Sequence, residues 1–226
     1  MAKAKRRGRN RRSERFWQAH RRFAVLTGLL CSLGVYVSYA EFRTPTRLQL
    51  IKQVQVEFKL DLEATLTDDR YPVPVRRRLA EMAARNISHR LVLNISTKPM
   101  DLPPYTLAWS DLVSQPPRIG IQMSRFLELH QAQNADLFRS TIMIAMYHEM
   151  VHMEKWPQPR PLTDTALLDE EVRAYGRTSL EMVRPLEFNG VWIMNDYTRL
   201  DGVLRSCGDD LSCPAFRAAV KDYAGL

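Results

Sequence analysis

The stretch TIMIAMYHEMVHMEKWP, residues 141–157, limits what this chain can fold into more than any other. Ile142 to Tyr147 are apolar without a break, and two histidines and a glutamate follow in the same run. On a helix, Ile142, Met143, Ile144 and Met146 spread round the whole circumference. Such a helix is buried on most sides. Imidazoles and a carboxylate in so apolar a setting need partners. His148 and His152, at i and i+4, point the same way. Two imidazoles so placed can reach one ion at about 2.0–2.1 Å. Glu149 is offset to the side, where it can take a proton rather than bind the ion. The plain alternative is a pair of core histidines hydrogen-bonded to backbone.

A catalytic site for such an ion wants a third protein ligand and one open position. The segment LLDEEVRAYGRT, 167–178, offers two candidates. On a helical wheel Leu168, Glu171, Ala174, Tyr175, Thr178 and Met182 share one face, with Glu171 near its middle. Glu170 falls outside that face and is the second choice. A lone carboxylate on a core-facing stripe is costly unless something cationic meets it. Either a buried Arg or a metal held by the preceding helix would answer. Eighteen residues separate His152 from Glu171, and the proline-rich stretch 156–163 is long enough to fold the two helices face to face.

This pattern, His148-Glu149-x-x-His152-x18-Glu171 with Ala174 three residues on, resembles the gluzincin group of zinc metallopeptidases. The resemblance covers roughly residues 116–184. It implies Zn2+ held by His148, His152 and Glu171, with Glu149 as general base and a peptide or protein as substrate. It also implies a zincin-like core and an edge strand near the site, a place that RIGIQM (118–123) would fill and where an extended peptide could pair. An internal strand is the alternative for that segment. Asp169 and Glu170 stand where one branch of the group has an Asn, and no G-x-M-E-N is present, so the subfamily stays open. An endopeptidase is the expectation. The competing reading is a non-catalytic envelope binding or scaffold protein that keeps the fold. Tyr175, one turn beyond Glu171, is either an oxyanion donor or a packing residue.

The net charge of +8 points at first to nucleic acid. Ten of the 33 Lys and Arg residues, however, stand in residues 1–22 beside a single acid, Glu14, and the remaining chain is close to neutral. That leader runs straight into an uncharged apolar 18-mer, residues 23–40. The combination reads as an export signal or a retained membrane anchor. No nucleic-acid partner is expected. The location expected is periplasmic or the extracytoplasmic face of the inner membrane. Cys207 and Cys213 in SCGDDLSC can close a small disulfide loop, which suits an oxidising compartment.

The domain reading is a leader (1–22), an apolar segment (23–40), a linker (41–47) and one domain (48–226). Within it, 48–65 fits a strand by its alternation VQVEFKLDL and a helix by Leu48, Ile51, Val54, Phe58 and Leu62. A helix is expected over 74–86 and strands over 89–96 and 118–123. Ser124 is expected to cap a short helix, and Asn134 a helix running to about Lys155. Thr163 or Asp164 starts another, which Arg184-Pro185 ends, and two short helices close the chain near 196–206 and 214–223. The class is α+β, a small mixed or antiparallel sheet followed by a mainly helical core.

Overall fold

The computed structural model describes residues 45–96, 106–111, 113–131, 134–155 and 163–226. Helix α1 (Arg47–Thr67) decides the ambiguous segment. Val54, Phe58 and Leu62 recur every four residues and are buried, whereas Val56 and Leu60 are more than half exposed. The alternation that suggested a strand therefore comes from a second apolar stripe facing outward. Thr46 and Gln49 form a capping box at the start, the Thr46 N–H donating to Gln49 Oε1 at 2.7 Å. Helix α2 (Val73–Ile87) follows, with Pro74 in its first turn and Val75, Leu79 and Met82 buried.

The sheet has three strands, β1 (Val92–Ser96), β2 (Ala108–Asp111) and β3 (Arg118–Gln122), in the order β1-β3-β2. It is mixed: β3 is parallel to β1 and antiparallel to β2. Of the two readings of 118–123, edge or internal, the internal one holds, and the edge place implied by the resemblance does not. β3 is the central strand, with hydrogen-bonding partners on both sides, and cannot take up an extended peptide. Its middle residue, Gly120, pairs with Trp109, and the indole lies across it. A Cβ at position 120 would stand 2.0 Å from Trp109 Cε2. Only glycine lets that ring lie flat on the strand.

Helix α3 (Met123–His130) leaves β3 without a loop. Gln122 occupies the cap position and Ser124 lies inside the first turn, so the expected Ser124 cap does not form. Helix α4 (Ala135–His152) is capped as expected, Asn134 Oδ1 accepting from Leu137 N at 3.1 Å. A 3-10 turn, Met153–Lys155, extends it. Every residue from Ser140 to Met153 is buried. The helix packs against α2, α3, β2 and the next helix, which explains an apolar surface on all sides.

Helix α5 (Asp164–Thr178) starts on Thr163, whose hydroxyl accepts from Ala166 N at 3.2 Å. The expected stop at Pro185 does not occur. The chain passes through a π turn, Ser179–Val183, into α6 (Arg184–Phe188). Proline lacks the N–H that would close an α-helical bond four residues back. A wider turn just before Pro185 absorbs that loss. Helices α7 (Asn195–Ser206) and α8 (Pro214–Ala224) close the chain and pack on α5 around Val172, Leu200, Leu204, Phe216 and Val220. Between them Cys207 and Cys213 are disulfide-bonded with Cα atoms 6.0 Å apart. Inside that loop Leu211 rests on Gly176 of α5, where a Cβ would meet Leu211 Cδ2 at 2.3 Å.

The architecture is thus mainly helical α+β with a small mixed sheet. Two helices precede the sheet. Among the described residues no helix is long and apolar enough to cross a membrane, and the leader and residues 23–40 lie outside them.

Candidate metal centre

The local sequence puts three donor groups on two helices that pack face to face, α4 and α5. His148 and His152 lie one turn apart on α4, and their Nε2 atoms face each other at 3.0 Å. Glu171 comes from α5. Its Oε2 is 3.3 Å from His148 Nε2 and its Oε1 is 3.6 Å from His152 Nε2. A tetrahedral ion with bonds of about 2.05 Å requires donor separations of about 3.3 Å. The three distances bracket that value. His148 and His152 are each 7 % exposed at the side chain, and Glu171 is 20 % exposed, so the group opens toward solvent on the Glu171 side. Among the described residues this is the group of three His, Cys, Asp or Glu side chains whose geometry suits a metal ion.

Electrostatics agree with a cation site. Burial disfavours a charged His152, yet the carboxylates of Glu170 and Glu171, with Glu149 adding, outweigh it and push its pKa up to about 10. Burial likewise opposes ionisation of Glu171, but His148 and His152 hold its carboxyl well below the usual range. Glu149 and Glu171 beside two imidazoles call for positive charge, whereas Glu170 is already matched by Lys155 and Arg173. Metal uptake at such a site displaces the imidazolium proton.

Glu170 lies outside the triad of possible donors, yet it is buried, against the expectation from the helical wheel. It was placed outside the buried face but is 5 % exposed, less than Glu171. The reason is that α5 is embraced on two sides and Glu170 carries its own partners. Its Oε1 is 3.2 Å from His152 Nδ1. Lys155 and Arg173 bind its carboxylate as well. Burial works against ionisation, but these three contacts keep it charged. The arrangement is the carboxylate–histidine pair that fixes a ligand's tautomer and ring orientation. The signals in the sequence were Arg173 three residues on and Lys155 beyond His152. Glu170→Ala is expected to weaken metal binding by about 10–100-fold while leaving the three ligands in place. Competition against a chromophoric chelator measures this.

Glu149 is buried beside the triad at 7 % exposure. Its field reaches three neighbours. It raises His152, and it adds to the burial that pushes the Tyr175 and Tyr197 hydroxyls well above their usual range. Tyr175 lies against His148, ring centroids 4.2 Å apart and planes tilted by 43°. Tyr223 meets Tyr175 edge-on at 5.3 Å, and Tyr197 stands 6.4 Å from Tyr223. These rings wall one side of the site. Tyr197 and Tyr223 were not singled out in the sequence, because they come from α7 and α8 and share no spacing with the motif. His89 is exposed, and His130 is half-buried against Phe126 and Phe138. Neither joins the site.

No family model, curated protein or solved structure matches the chain. The site therefore rests on its own geometry. The Cys207–Cys213 bond suits an oxidising compartment.

Proposed function

We propose that the chain is a zinc-dependent peptidase acting on peptide or protein substrates in the cell envelope. The observation that carries this is the convergence of His148 Nε2, His152 Nε2 and the Glu171 carboxylate, one oxygen 3.3 Å from the first ring and the other 3.6 Å from the second, with a buried carboxylate, Glu149, on the turn between the two histidines. Three protein donors leave a fourth position open, the arrangement of catalytic rather than structural zinc. Nitrogen and carboxylate donors suit Zn2+. Bound there, zinc supplies a Lewis acid that acidifies water and polarises a carbonyl.

The chain's own groups would divide the remaining work. His148 and His152 hold the cation through Nε2, and Glu170 locks the His152 ring from its Nδ1 side. Glu149 accepts a proton from the attacking water and returns it to the leaving amine. Its position off the His148–His152 line leaves it free to do so. The tyrosine wall excludes water from one side, which strengthens every charge interaction within. Export rests on the leader of residues 1–40 and agrees with the disulfide.

A quenched fluorescent peptide library tests the reading. Full-length protein loaded with zinc is expected to cleave internal bonds, to stop on chelation and to resume when zinc returns. Stoichiometric metal without any cleavage would favour the envelope binding or scaffold reading.

A further inference from the structure

A cavity of about 420 Å3 lies behind α4 and is floored by Met150 and Met153. Met150 is two residues from both His148 and His152, so it points away from the metal centre. Arginines dominate the opposite wall. Arg78 and Arg85 are seven residues apart, two turns along one face of α2. Arg90 is folded back onto them, its N–H donating to Arg85 O at 2.8 Å. His89 makes that fold possible by adopting φ +56°. For a residue other than glycine the left-handed conformation is sterically unfavourable.

The charges here do not balance. Glu154 lines the cavity, but it is shared by three guanidiniums, those of Arg78, Arg173 and Arg177. Glu81 is the second acid of the lining. Among the described residues neither Arg85 nor Arg90 has a carboxylate within ion-pair distance, and Arg78 Nη1 is buried without a hydrogen-bond partner. A buried guanidinium N–H left unpaired is costly. An anion offering oxygens in several directions would satisfy all three heads at once. A carboxylate presents two oxygens in one plane, whereas a phosphate presents three tetrahedrally, and guanidiniums match both. The cavity is also larger than a phosphate alone. Met150, Met153 and Pro117 give the excess volume an apolar, adaptable wall.

We propose that this cavity binds a phosphate ester, its phosphoryl group between Arg78, Arg85 and Arg90 and its organic part on Met150 and Met153. A soluble phosphate monoester and the headgroup of a phosphatidic acid share that chemistry, each with three free oxygens. The proposal is independent of the peptidase reading, because no metal ligand takes part.

Calorimetric titration of the full-length chain separates the outcomes. Phenyl phosphate and dihexanoyl phosphatidic acid below its micellar concentration are the two probes, with benzoate as the carboxylate control. Saturable one-site binding of either phosphate probe is expected, at least about tenfold tighter than benzoate. Tighter phenyl phosphate identifies a soluble ester as the ligand, and tighter phosphatidic acid a lipid headgroup. Arg85→Gln with Arg90→Gln changes two exposed side chains, so the fold is retained, and is expected to weaken binding about tenfold or more. His148→Ala is expected to leave binding intact, which separates this cavity from phosphate bound at the metal. Benzoate binding as tightly as both phosphates, unchanged binding in the double variant, loss in His148→Ala, or no saturable binding at all overturns the proposal.

Discussion

Glu149→Gln is expected to lower peptide hydrolysis by about a thousandfold while the metal stays bound. Glutamine keeps the volume and the hydrogen-bonding shape of the buried side chain but cannot accept a proton. The three donor atoms belong to other residues, so the cation site survives. Two measurements together decide the matter: turnover of a cleaved reporter peptide, and zinc content of the same preparation. Activity within a few-fold of the parent at full metal occupancy would remove Glu149 from the reaction. Loss of both activity and zinc would show that its role is to hold the site together.

Glu171→Ala is expected to abolish tight zinc binding. The two remaining imidazoles, 3.0 Å apart at Nε2, would then face each other without the carboxylate that completes the set. A ligand that binds only the folded chain stabilises it by about 4 kcal/mol at a thousandfold excess over Kd. For a domain of this size that raises Tm by roughly 10 °C. The parent is expected to show such a zinc-dependent rise and Glu171→Ala to show almost none. A full rise in the variant would mean that another acid completes the site. Glu170 is the nearest alternative, but its oxygens are occupied by His152 Nδ1, Lys155 and Arg173.

The metal centre was legible because helical periodicity fixes which side chains share a face. His148 and His152 at i and i+4, and Glu171 amid Leu168, Ala174 and Tyr175, follow from 3.6 residues per turn. What lay beyond local periodicity was harder to read. Strand order depends on pairings across the chain, and nothing within RIGIQM says whether one neighbour or two will bond to it. Glu170 was misread because a wheel records one buried face, whereas α5 is buried on two and supplies its own counter-charges. Val56 and Leu60 misled through an apolar stripe on the exposed side of α1, where alternation and helical spacing coincide. Pro185 was overread as a terminator, since a π turn can accommodate a residue that an α turn cannot. Tyr197 and Tyr223 reach the site only through the docking of α7 and α8, a tertiary fact with no local trace.

The contact between Leu211 and Gly176 ties the disulfide loop to the helix that carries Glu171. The seat of that leucine is five residues from Glu171 on the same rigid rod, and the loop presenting it is tied by Cys207 and Cys213. Reduction of that bond would free the loop and loosen the seat of Leu211 on α5.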